Sequence, residues 1–135
     1  MRKFILFFLC ICTLLFLGGC KVEKRSTEKI RDLEFTVLRE EEIPKELKRE
    51  IERKKHAVMK ETYTDGNWLY IAEGYGEKNK SGYSVEVDAC YETANAIYIH
   101  TTLLGPSEEE KEVQTTIYPY VVIKMEYMDK HIVFE

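Results

Sequence analysis

Alternation with a period of two, interrupted once by a period near 3.6, confines this chain to a mainly β fold. Tyr83, Val85, Val87 and Ala89 alternate with Ser84, Glu86 and Asp88. Successive strand side chains point to opposite faces, so this run predicts one buried and one wet face. Ala57 to Tyr63 and Trp68 to Glu73 flank Thr64-Asp65-Gly66-Asn67, and Asp-Gly between two such runs is a strong hairpin signal. Leu33 to Val37 alternates and is expected to open the domain as a strand. Ala96 to Leu104, Val113 to Ile117, Tyr120 to Tyr127 and Ile132 to Phe134 read as further strands. Gly74 to Gly82 reads as an ordered loop, Glu92 to Asn95 as a turn, and Gly105 to Glu110 as an acidic loop. The exception is Ile43 to Lys55, where Ile43, Leu47 and Ile51 are spaced by four among Lys and Glu. Pro44 suits a first helical turn, and Glu40 to Glu42 and Arg53 to Lys55 suit the two ends of a helix dipole. The expectation is an α+β, mainly β domain. It would be a small antiparallel β-sandwich or partly open barrel of about seven or eight strands, with one N-terminal amphipathic helix on an edge or face.

The chain begins with two cations, Arg2 and Lys3, and an uncharged run from Phe4 to Phe16. Leu17-Gly18-Gly19-Cys20 follows. Cations, an apolar run and small residues before a cut site describe an export signal over residues 1–19. Phe4 to Gly19 is 16 residues, short of the roughly 20 needed to span a bilayer. Leu17 to Cys20 resembles the bacterial lipobox, in which a branched apolar residue and two small residues precede a Cys. The small residues fit a narrow peptidase groove, and the thiol is the nucleophile there that takes a diacylglyceryl group. The resemblance implies cleavage between Gly19 and Cys20 and lipidation of Cys20 with two or three acyl chains, palmitate among them. Each buried CH₂ contributes about 0.8 kcal/mol, and one chain alone binds only marginally. The expected location is the extracytoplasmic side of a cell membrane.

Residues 1–19 hold two cations and no acid, so the remaining 116 residues carry 18 Lys and Arg against 24 Asp and Glu, a formal charge of −6. That length favours one domain with its own core. The acidic balance argues against nucleic acid, whose phosphates need clustered Lys and Arg. Cys10 and Cys12 leave with the signal and Cys20 is lipidated, so Cys90 stands alone and no internal disulfide is expected. Residues 20–32 read as a lipidated Cys and a polar tether, and residues 33–135 as the domain.

No catalytic constellation is legible, and no metal or cofactor is expected. His56, His100 and His131 fit no zinc spacing, and no serine sits in a nucleophile elbow. His100 with Glu86 or Asp88 is the one acid–base grouping worth testing; Glu86 and Asp88 share a strand face that reads as solvated. Gly74-Tyr75-Gly76 opens like a dinucleotide loop, but Asn79 replaces the third glycine and a strand follows. Tyr75, Tyr83, Tyr118 and Tyr120 sit beside glycine or proline near loop ends. Such tyrosines either close the core or build a contact surface.

Three segments resemble the PrcB family of protease complex subunits: Glu42 to Leu47, Gly76 to Val87, and Gln114 to Ile123. The likeness spans about Leu33 to Glu135. It departs before Gly82-Tyr83, where Asn79, Lys80 and Ser81 replace the Pro or Thr and second Gly common in the family. The resemblance implies a non-enzymatic, membrane-anchored accessory domain beside a surface protease. Asn79 to Tyr83 also resembles a loop of chagasin-like cysteine-protease inhibitors; that module and a small ligand-binding lipoprotein are the alternatives. The contact residues expected for a protein partner are Asn79, Ser81, Gly82, Tyr83, Tyr118, Pro119 and Tyr120.

Overall fold

A computed structural model describes residues 28–135. The expected signal, the expected Gly19–Cys20 cut and the first part of the expected tether lie outside the described residues. Ten strands and one α-helix follow in the order β1 (Arg31–Asp32), β2 (Thr36–Val37), α1 (Lys45–Lys54), β3 (Val58–Asp65), β4 (Trp68–Tyr75), β5 (Lys78–Lys80), β6 (Ser84–Glu92), β7 (Ala96–Leu104), β8 (Gln114–Ile117), β9 (Tyr120–Glu126) and β10 (His131–Phe134). One sheet runs β1-β6-β7-β10, a second β2-β9-β4-β3, and β5-β8 form a small ribbon. Among the described residues no barrel closes; the two four-stranded sheets make a β-sandwich.

Two apolar layers hold it. Ile71, Cys90, Ile97, Ile99 and Ile123 are buried between the sheets. Ile43, Leu47 and Ile51 are buried with Met59, Tyr70, Ala72 and Val122, so the helix covers the outer face of the second sheet. The central strands of that sheet are therefore buried on both faces. That explains why Leu69 to Ala72 and Val121 to Ile123 are unbroken apolar runs rather than alternating ones. The first sheet faces outward with Ser84, Glu86, Asp88 and His100, and β6 alternates as expected from Ser84 to Val87.

The helix begins at Lys45, two residues after Ile43. Glu40–Glu42 form a 3-10 turn instead, and Pro44 caps the helix, its carbonyl accepting from Lys48 N–H at 2.9 Å. The hairpin forms with Asp65 paired to Trp68. Gly66 takes φ +57 in its two-residue turn while Asn67 keeps a negative φ; glycine first with one positive φ is the type II′ pattern.

Five features differ from the reading of the sequence. Leu33 to Val37 is not one strand. Leu33 N–H donates to Cys90 O at 2.9 Å on the first sheet, whereas Thr36 and Val37 pair with Lys124 and Ile123 of the second, because the segment crosses between the sheets. Pairing starts before Leu33: Ile30 N–H donates to Glu92 O at 2.8 Å, and Arg31 grips Glu92 at 2.9 Å. The expected loop Gly74 to Gly82 contains β5 and the end of β4; with the two split N-terminal strands it raises the count to ten. β10 lies parallel to β7, since the chain visits β8 and β9 before returning. Last, Ala89 does not share a face with Val87. A bulge between Val87 and Ala89 adds one residue and switches phase, so Cys90 and Glu92 are the buried residues beyond it.

Candidate functional site

The β5–β8 ribbon and the loops around it gather the residues expected to meet a partner. Lys78 pairs with Ile117 and Lys80 with Gln114. Asn79 is exposed on this ribbon. Ser81 closes it twice, donating its N–H to Val113 O at 2.9 Å and accepting from Val113 N–H through Oγ at 3.0 Å. Gly82 follows with φ +93, and a Cβ there would stand 2.6 Å from Pro106 Cβ and 3.0 Å from Glu110 Oε2. Only glycine meets both demands without strain. Tyr83 follows this turn, with Lys80 Nζ 5.8 Å from its ring centroid.

Tyr83, Pro119 and Tyr120 converge on one hollow of about 370 Å³, whose other wall is Val37, Leu38, Glu40 and Ile43. This hollow lies on the side of the sandwich where the N-terminal segment leaves the first sheet for the second. Pro119 is buried and anchors the bend, accepting from Tyr75 N–H at 3.1 Å. Tyr120 packs against the helix cluster. Burial, followed by the carboxylates of Glu40 and Glu52, pushes its phenol above the ordinary range. Tyr118 turns away from the hollow. Its ring meets His56 edge-on at 4.8 Å, with Lys55 Nζ 4.8 Å from its centroid. Tyr75 turns inward and bonds Thr101 across the sheets at 2.5 Å. So two of the four tyrosines singled out, Tyr83 and Tyr120, share this surface.

The contribution of Val37 to Ile43 was not readable in advance. These residues join Tyr83 only through packing of segments distant in sequence, and no local pattern marks that. A larger hollow of about 1090 Å³ lies elsewhere, between Arg31 to Thr36 and the strand ends at Trp68 and Tyr127. It contains none of the expected contact residues.

His100 Nδ1 lies 2.8 Å from Asp88 Oδ2 on the outer face of the first sheet, and Thr102 Oγ1 donates to the same oxygen. The carboxylate is central and bridges the other two. The partner of the threonine hydroxyl is therefore the carboxylate and not the histidine, which is not the serine–histidine–aspartate order of a triad. Among the described residues no group of three or more His, Cys, Asp or Glu is placed to hold a metal ion. Among them, too, no helix is long and apolar enough to cross a membrane.

Residues 69–126 match the family model described as PrcB C-terminal. That segment is similar to the PrcB C-terminal domain. The match runs from the second residue of β4 to the last of β9, taking in both the Gly76 to Val87 and the Gln114 to Ile123 segments. Glu42 to Leu47, with the rest of the helix, lies outside it. The matched region thus supplies the interior strands of the sandwich and the Tyr83, Pro119 and Tyr120 wall of the hollow; the N-terminal segment supplies the other wall. No curated protein and no solved structure matches the chain.

Proposed function

We propose that this protein is a membrane-anchored extracytoplasmic lipoprotein whose PrcB domain is a non-enzymatic protein-binding module, an accessory subunit of a surface protease complex. The observation that carries the binding reading is the convergence of Tyr83, Pro119 and Tyr120 on one rimmed hollow, beside a ribbon held by Ser81 and Gly82. Tyrosine gives rigid contact area at low entropic cost and is enriched where interfaces are tightest. A bridging carboxylate between His100 and Thr102 is a surface network rather than a relay. The anchor reading rests on Leu17 to Cys20, and the protease-complex reading on the PrcB match.

Cross-linking on intact membranes, followed by capture of the tagged chain, tests the partner. Tyr83→Ala is expected to lower capture about tenfold or more, as truncating a central interface tyrosine can cost about 2 kcal/mol, with the melting temperature unchanged. Equal capture by wild type, Tyr83→Ala and Ser81→Ala would refute the binding surface. Cys20→Ala is expected to move the protein to the aqueous phase on detergent partitioning, or to block its processing. Retention in the detergent phase after normal processing would refute lipid anchoring.

A further inference from the structure

β6 is nine residues long, yet β1 covers only its end, pairing Arg31 with Glu92 and Asp32 with Tyr91. The last bond on that side is Leu33 N–H to Cys90 O, after which the chain departs for the second sheet. Among the described residues no strand pairs with the outer edge of β6 from Ser84 to Ala89. The side chains of Cys90 and Glu92 point inward and their carbonyls accept from the N-terminal segment. The bulge carries that inward phase to Val87 and Val85, which are half-buried. Side-chain face and backbone direction alternate together along a strand, so the N–H and C=O groups of Val85 and Val87 point along the open edge.

Natural sheet edges are blunted with Lys, Pro or a covering segment. Between Ser84 and Val87 there is no Lys, no Pro and, among the described residues, no covering strand, and the bulge that also blunts an edge begins only beyond Val87. An open edge of this kind recognises an extended strand, since only a strand offers donors and acceptors at the matching repeat. We propose that the outer edge of β6 from Ser84 to Ala89 is a strand-addition site, taking an extended segment of a partner protein in which basic and apolar residues alternate. This rests on the protein-binding reading above and names what that surface takes. The inward side chains of the added strand would enter the hollow, where Val37, Val85 and Val121 stand beside Glu40 and Ser84. Its outward side chains would lie beside Glu86 and Asp88. Glu86 is exposed and has no ion-pair partner among the described residues, so Lys or Arg in the added strand is complementary. A second copy of this chain fits badly, because antiparallel self-pairing sets one row of Glu86 and Asp88 against another.

The test uses the full isotope-labelled chain in detergent micelles with two seven-residue peptides of sequence Lys-Val-Lys-Thr-Lys-Val-Lys and Glu-Val-Glu-Thr-Glu-Val-Glu. The amides of Val85 and Val87 are expected to exchange quickly in the free protein and to slow about tenfold or more with the basic peptide only. Val87→Pro removes an edge donor that β7 does not use, and is expected to weaken the basic peptide about tenfold. Glu86→Lys, which leaves the backbone intact should the proline variant fail to fold, is expected to exchange the preference towards the acidic peptide. Slow exchange of Val85 and Val87 in dilute free protein would overturn the proposal, as would equal binding of both peptides to wild type. Protection that grows with protein concentration alone would assign the edge to a second copy and overturn it too. Failure here with Tyr83→Ala still abolishing partner cross-linking removes the edge and leaves the binding reading standing.

Discussion

Gly82→Ala separates the two constraints that shape the loop before Tyr83. At φ +93 an L side chain crowds its own backbone, which costs about 1–2 kcal/mol. The second constraint is external. The new methyl would stand 2.6 Å from Pro106 Cβ and 3.2 Å from Pro106 Cα, whereas carbon atoms rest at about 3.5–4.0 Å. The shortfall against the Cβ is about 1 Å, and part of the obstacle is backbone, so residues 105–110 must shift. Forced overpacking of this kind costs about 1–3 kcal/mol. The expected total is about 2–5 kcal/mol, a large part of the roughly 5–15 kcal/mol that holds a domain. Gly66→Ala is the internal control. It has φ +57 but nothing within 4 Å of the added carbon, so only the first cost applies, about 1–2 kcal/mol. Urea unfolding of both variants, read at constant m-value, isolates the steric part as the difference. If Gly82→Ala loses no more stability than Gly66→Ala, packing against Pro106 does not constrain this loop, and the rigid presentation of Tyr83 loses its basis.

Glu73 sits between the sheets at 6% exposure, and its Oε2 is buried without a hydrogen-bond partner among the described residues. Removing an unsatisfied buried polar group is worth about 1–3 kcal/mol, so Glu73→Leu is expected to raise the urea midpoint, and a drop in midpoint would refute the argument. Cys90 is buried and its thiol is pushed up to about 11 by burial, so labelling with a thiol reagent at pH 8 should proceed only as fast as the domain opens; rapid labelling of folded protein would contradict this. The linked effect has a definite sign. The thiol stays protonated in the fold after it ionises in the unfolded chain, so its contribution is intact below about pH 9 and is lost as pH rises towards 11. Relative to Cys90→Ala, wild type should therefore lose stability over that window, and parallel pH profiles would sink the linkage.

Strands with one wet face were legible because burial on one side writes a period of two into the residues. β6 announced itself through Val85 and Val87 against Ser84 and Glu86, and the helix through Ile43, Leu47 and Ile51. The phase switch at Asp88 was not legible, since a bulge is decided by pairing with His100 and Thr101 rather than by the local residues. β1, β2 and β5 were missed for a related reason. Two or three residues carry no measurable period, and their pairing is imposed by the edges they meet. Of the expected contact residues, Tyr83, Pro119 and Tyr120 come together, Asn79 and Ser81 stay on the ribbon, and Tyr118 faces Lys55 and His56.

By itself the sequence determined the elements that need only local chemistry. The Asp65-Gly66 turn supplies a positive φ, and the helix stripe supplies an apolar face. Charge counting also set the acidic balance. Tertiary structure alone decided the parallel return of β10, the crossing of Leu33 to Val37 between the sheets, and the hollow and open edge which that crossing leaves beside β6. Those features depend on which edges meet, and two edges that satisfy the same backbone groups look identical in a one-dimensional pattern until the core has chosen between them.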